Sequence, residues 1–186
     1  YGSAWRYRHR ARLSVREVAK KGTVLVGFHE KRSSFIADMK SCEILPKRVS
    51  DLLVPLRELI NSLSLRKKLP QIELAVTDEA LALVLRVLEK PTADDEAKLR
   101  QFQKDYGVDF WYQPKGPDSI YPMDPENAAR LKLHHRETGV EVVFRPTDFT
   151  QVNHRLNEVM VTRALRLLHL EPSSKVIDFF CGLGNF

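Results

Sequence analysis

Residues 5–16 read W-R-Y-R-H-R-A-R-L-S-V-R, and this stretch decides the fold class. Its strict alternation has the two-residue period of a β-strand, with Arg6, Arg8, Arg10 and Arg12 on one face and Tyr7, His9, Ala11, Leu13 and Val15 on the other. Two more strand-like runs, 23–28 and 34–39, flank a charged turn at Glu30, Lys31 and Arg32. The spacing predicts an antiparallel meander.

From Pro46 to Leu63 the period lengthens. Val49, Leu52, Leu53, Leu56, Leu59, Ile60 and Leu63 recur at helical spacing, so an amphipathic helix is expected, kinked or split where Pro55 removes a backbone donor. After the basic loop Arg66-Lys67-Lys68, strands are expected around 72–77 and 80–88, then a charged helix over 92–106. Thr92 suits its N-cap, and Asp94, Asp95 and Glu96 lie where the helix dipole favours acids. A strand from Val108, a Pro/Gly-rich loop over 114–125 and a hairpin of 130–135 with 140–144 follow, turning at Thr138-Gly139.

Near residue 145 the pattern changes to a helix over 153–168, with Leu156, Val159, Met160, Ala164, Leu167 and Leu168 on one face, and a short apolar strand over 175–180. Helix followed by strand is the grammar of an α/β layer. The expected architecture is therefore α+β: an antiparallel sheet with flanking helices in residues 1–145, then the first helix and strand of a truncated Rossmann-like domain in 146–186.

With 186 residues, 43% hydrophobic, the chain can bury a real core. No run approaches the length a membrane span needs, the polar N-terminus is unlike a signal peptide, and two cysteines are too few for a disulfide scaffold. A reducing, cytoplasmic setting without a membrane is expected. The six histidines have no ligand spacing, and neither a GxSxG elbow nor a P-loop occurs, which sets aside those hydrolase and nucleotide-binding classes.

The net charge is +6, and residues 1–21, with seven basic side chains and one acid, carry all of it. The other 165 residues are neutral, so the basicity is a patch. A one-signed arginine row beside Tyr7 and Trp5 suits phosphate contacts and base stacking. The same row also suits a solvated face or one laced to acids elsewhere.

The chain's last nine residues are D-F-F-C-G-L-G-N-F, an apolar run entering a turn with Gly182 and Gly184. Such a turn lets backbone approach a ligand at the carboxyl end of a strand. Together with F-x-Q-x-N at Phe149, Gln151 and Asn153, the pattern D-x-F-C-G-x-G-N-F resembles the S-adenosylmethionine site of the RNA 5-methyluridine methyltransferases. The segments YRHRARLS (7–14), VGFHEKRSS (26–34) and DMKSCEILP (38–46) are similar to the bacterial type that acts on 23S ribosomal RNA, so the likeness runs from Tyr7 to Phe186. Without it, Gln151 and Asn153 read as polar caps of the following helix, and Cys42 as a small buried hydrophobe.

The resemblance implies S-adenosylmethionine as cofactor, with Gln151, Phe180 and Asn185 contacting it and Gly182 and Gly184 forming the turn that admits it. In that family a cysteine nucleophile in an S-C-N-P segment adds to C6 of a flipped uracil, C5 takes the methyl group, and a glutamate base removes the C5 proton. Neither group has a counterpart in residues 1–186, and Cys181 does not match the nucleophile. The chain is therefore expected to be an inactive fragment of a longer enzyme, with no catalytic residue of its own and weak cofactor binding. Cys42 matches the fourth thiolate of a 4Fe-4S cluster whose other ligands would precede residue 1; one thiolate does not hold such a cluster, so Cys42 is expected as a free thiol here.

The expected partner is 23S ribosomal RNA, gripped by Arg6, Arg8, Arg10, Arg12, Lys31 and Arg32. A transfer RNA substrate and a non-catalytic RNA-binding module are the alternatives. A monomer is expected, with the exposed strand 175–180 as the edge open to another chain.

Overall fold

The alternation of residues 5–16 becomes a strand only where a neighbour is there to pair with it. The structure is a computed structural model and describes residues 2–185. In it β1 spans Arg10–Val18, and Arg6 adopts a positive φ of 63°, which breaks the extended run. Residues 6–9 bond mainly to two loops: Arg6 and Arg8 N–H groups donate to the carbonyls of Glu43 and Ile44, and the His9 N–H to that of Val152, while the His9 carbonyl accepts from the Val76 N–H.

Around β1 lies a six-stranded sheet of β2 (Thr23–Gly27), β3 (Gln71–Val76), β4 (Leu81–Arg86), β5 (Asp109–Gln113) and β6 (Tyr121–Pro122), in the order β2-β1-β3-β4-β5-β6. The sheet is mixed where an antiparallel one was expected, because β4 and β5 run parallel. Their connection passes through helix α2 (Ala93–Tyr106), and a crossover of that length returns the chain in the same direction. Thr92 caps α2 in a capping box closed by Asp95, and Gly107 ends it at φ 60°.

Helix α1 (Lys47–Ser62) is one element across Pro55, not two. Leu52, Leu53, Leu56 and Ile60 on both sides of the proline are buried, so tertiary packing holds the helix over the missing backbone bond. With Leu99 and Phe102 of α2 they cover one sheet face, made of Leu13, Ile72, Leu74, Leu83, Leu85 and Phe110. Behind the other face stands a separate two-stranded hairpin, β7 (Leu131–His135) and β8 (Val140–Phe144), whose Leu131, Leu133 and Phe144 pack on Ala75 and Ala82. Alanines at those positions leave room for the second layer.

Two expected strands are not formed. Residues 34–39 contribute only the bridge Ile36–His29; Arg32 at φ 54° turns the chain sharply, and the loop folds back so closely that a Cβ on Gly27 would lie 2.8 Å from the Ala37 carbonyl. Residues 175–180 have no strand partner among the described residues and run as an exposed segment, Ile177 being 77% and Phe179 78% exposed. A lone strand leaves its backbone unpaired, so nothing sets it in ladder geometry. Helix α3 (His154–Leu168) forms as expected, but its apolar stripe is not its buried face: Asn157 and Val161 are buried, while Leu156, Met160, Leu167 and Leu168 are exposed.

Candidate functional site

The N-terminal strap decides what sits near what. Arg6 donates from Nη1 to the Cys42 carbonyl at 3.0 Å and from Nη2 to Glu43 at 2.9 Å. Four residues on, Arg10 reaches the opposite way. Its Nε and Nη2 meet Glu73 Oε1 at 3.1 and 2.6 Å, Nη2 also meets the Thr147 carbonyl at 2.9 Å, and Nη1 meets that of Asp148. Residues 6–10 thus link the Cys42 loop to the loop 147–152 that carries Gln151.

That loop runs into α3. Asn153 accepts from the Leu156 N–H at 3.0 Å as N-cap, and one turn later the Asn157 and Asn185 side chains bond to each other. Gln151 and the glycine turn are therefore brought to the same end of one helix. Gly182 and Gly184 have φ of 59° and 74°, and the Gly184 N–H closes a turn onto the Cys181 carbonyl at 2.9 Å. A Cβ at Gly184 would meet nothing within 4 Å, so the turn is open for a ligand to approach its backbone. Phe180 is 102% exposed at φ 65°, its side chain turned out to solvent.

Beside α3 lies a cleft of about 1250 Å³, walled by the hairpin, the β3–β4 turn and the helix. His9 and His154 stack at its edge with ring centroids 4.4 Å apart. Burial first, and the neighbouring His9 second, push the His154 pKa down to about 4, so its ring is neutral at physiological pH. His135 lines the same cleft at 6% exposed, with no hydrogen-bond partner for Nε2.

The six basic residues expected to bind nucleic acid divide. Arg6 and Arg10 are spent on internal contacts, and Arg8 is half-buried with its Nε shielded. Arg12 stays exposed, 3.4 Å from the second oxygen of Glu73. Arg16, beyond Ser14 on the same face, donates to the Ser34 carbonyl at 2.9 Å and so joins β1 to the loop of Lys31 and Arg32, both exposed. Phe35 stands on that loop, 68% exposed. The open basic surface is thus Arg12, Arg16, Lys31 and Arg32 with an aromatic beside it.

Cys42 is partly buried against the main core, and its N–H donates to Ser50 Oγ at 2.8 Å. Neither Cys42 nor Cys181 is in a disulfide, and no group of three or more His, Cys, Asp or Glu among the described residues is arranged to hold a metal. The two cysteines of residues 1–186 do not make up the four-thiolate set a 4Fe-4S cluster requires.

Glu73 and Asn157 were not singled out in the sequence. Glu73 had a signal: it is the one acid in the run Q-I-E-L-A-V, and a buried acid in a central strand demands a cation, supplied by Arg10. Asn157 had none, since its partner lies 28 residues away.

The fold has a counterpart of known structure. Over 99% of its length the chain superposes, with a TM-score of 0.70 at 18% identity, on 45% of the crystallised Pyrococcus abyssi tRNA (uracil-54, C5)-methyltransferase, solved in complex with S-adenosyl-L-homocysteine. The sequence sharpens this: the chain is 59% identical over 186 residues to the 23S rRNA (uracil(1939)-C(5))-methyltransferase RlmD of Burkholderia lata, and 57% identical over 185 residues to that of Cupriavidus necator. It spans 40% and 42% of the length of those two relatives. No protein-family model matches the chain. No helix among the described residues is long and apolar enough to cross a membrane.

Proposed function

We propose that the protein carrying this chain transfers a methyl group from S-adenosylmethionine to C5 of a uridine in 23S ribosomal RNA, in the cytoplasm. The observation that carries this is identity of 57–59% along the whole chain to proteins named for that reaction. Residues 1–145 would be the RNA-gripping domain and 146–186 the opening of the cofactor layer. Gln151, Asn185 and the turn of Gly182 and Gly184 would meet the cofactor, with Phe180 lying over it once the exposed segment is covered. The methyl donor supplies the electrophile; this chain's residues bind and orient it.

Arg12, Lys31 and Arg32, with Arg16 between them, would contact phosphates, and Phe35 would stack on an unpaired base. Cys42 would ligate a 4Fe-4S cluster together with three thiolates from outside residues 1–186.

The test uses the whole protein, methyl-labelled S-adenosylmethionine and total RNA from a strain lacking the gene. Label is expected at C5 of a uridine in 23S RNA. Label in transfer RNA alone would replace the substrate, and no label in any RNA would overturn the reading.

A further inference from the structure

The Arg10 guanidinium occupies a place that its position in the arginine row does not suggest. Its side chain is 17% exposed and that of Glu73 is 6% exposed. Its three nitrogens make four hydrogen bonds, two to one carboxylate oxygen and one to each of two carbonyls, those of Thr147 and Asp148. The carbonyls belong to the start of the loop that carries Gln151. The far end of the same loop is held by the His9 N–H, which donates to the Val152 carbonyl at 2.8 Å. Thr150, between the two anchors, is 6% exposed. The loop is therefore gripped on both sides of Gln151 by consecutive residues of one strap.

We infer that Arg10, held by Glu73, is a positioning residue for the cofactor loop and not a phosphate contact. The inference rests on the reading that Gln151 meets S-adenosylmethionine. The chemistry is specific to the residue type. A guanidinium is a rigid planar fork able to serve a carboxylate and two carbonyls at once, whereas a lysine ammonium places all its donors on one atom. Glu73 orients the fork and compensates the buried charge, leaving Arg12, the second cation beside it, facing solvent. Without the fork the two carbonyls lose their charge-assisted bonds, and the loop can shift by the fraction of an ångström that separates productive from unproductive placement.

The experiment measures the Kd for S-adenosyl-L-homocysteine and the salt dependence of RNA affinity in the whole protein, for the wild type, Arg10→Lys, Gln151→Ala and the double variant. Arg10→Lys is expected to weaken cofactor binding by roughly tenfold to a hundredfold. It should leave the RNA salt slope unchanged. In the Gln151→Ala background the same substitution should cost about threefold or less, because both act through one contact. Glu73→Gln, which keeps the volume, should weaken the cofactor in the same direction without weakening RNA.

If Arg10→Lys leaves the cofactor Kd within about twofold, Arg10 does not position the loop and the inference fails, whatever becomes of RNA affinity. Equal losses with and without Gln151 would assign it to the fold at large, which also overturns it. A wild-type protein that binds no S-adenosyl-L-homocysteine would refute the underlying reading of Gln151, a result distinct from either.

Discussion

The side chains of Asn157 and Asn185 form a closed amide pair, Asn157 Nδ2 donating to Asn185 Oδ1 at 2.7 Å and Asn185 Nδ2 donating back to Asn157 Oδ1 at 3.0 Å. Asn157 is 3% exposed, so this pair satisfies a carboxamide that would otherwise be stranded on the inner side of α3. It also fastens the glycine turn to the helix whose first residues adjoin Gln151.

Removing one member should cost more than removing both. Asn185→Ala leaves Asn157 buried without its partner, and about 1–3 kcal/mol is expected to be lost. Asn157→Leu combined with Asn185→Ala should cost clearly less than Asn185→Ala alone. Urea unfolding gives the stabilities, and hydrogen exchange at residues 181–185 should rise in Asn185→Ala.

Asp95 accepts from the Ser64 N–H at 2.7 Å, Ser64 Oγ at 2.6 Å, the Thr92 N–H at 3.1 Å and Thr92 Oγ at 2.9 Å while fully buried. Burial pushes its carboxyl up, but the bonds from Ser64 and Thr92 outweigh it and hold the pKa below the ordinary value. The unfolded chain therefore takes up this proton first. The stabilisation is complete above the ordinary carboxylate pKa of about 3.9 and disappears as pH falls through the lower folded value. Asp95→Asn should cost about 1–3 kcal/mol at neutral pH and flatten the acid limb of a stability profile taken from urea midpoints.

His154 works in the same direction over another window. Its pKa falls from 6.5 unfolded to about 4 in the folded chain, so between those values the unfolded state binds the proton and the folded state does not. Stability should fall as pH drops from 6.5 to about 4 and be unaffected by this group above that window. His154→Phe keeps a ring against His9 and should remove that slope, which denaturation midpoints across the window would reveal.

Arg32 separates binding from folding. At φ 54° it sits in the left-handed region, which costs a side-chain-bearing residue roughly 1–2 kcal/mol relative to glycine. Arg32→Gly and Arg32→Ala should lower RNA affinity alike and reduce the salt slope by about 0.7 if one single-stranded phosphate contact is lost. Only Arg32→Gly should raise the melting temperature. Equal RNA affinity in all three proteins would remove Arg32 from the interface.

Much of the fold is legible locally. Thr92 and Asp95 announce the start of α2, Thr138-Gly139 the hairpin turn, and the leucine spacing of 47–62 its buried face, because each depends on residues within a few positions of one another. The failures share one cause. Residues 6–9, 34–39 and 175–180 all have strand-like patterns, but 6–9 meet loop backbone at Glu43, Ile44 and Val152, 34–39 fold back on 28–30 through a single bridge, and 175–180 meet no strand partner among the described residues, outcomes that the local pattern does not set. The parallel pairing of β4 and β5 likewise depends on where α2 lands.

The site divides in the same way. By itself the sequence determined which residue types were on hand: the glycine turn, Gln151 and Asn153 before a helix, a basic N-terminal patch and a cysteine before Pro46. Only the tertiary structure decided what they face. Glu73, 63 residues from Arg10, draws its guanidinium inward, and the strap it anchors turns that arginine toward the carbonyls of loop 147–152 while Arg12 remains outside. The physical reason is that an alternating pattern assigns side chains to a face, but burial of an opposing charge on that face decides which of them solvent, or a nucleic acid, can reach.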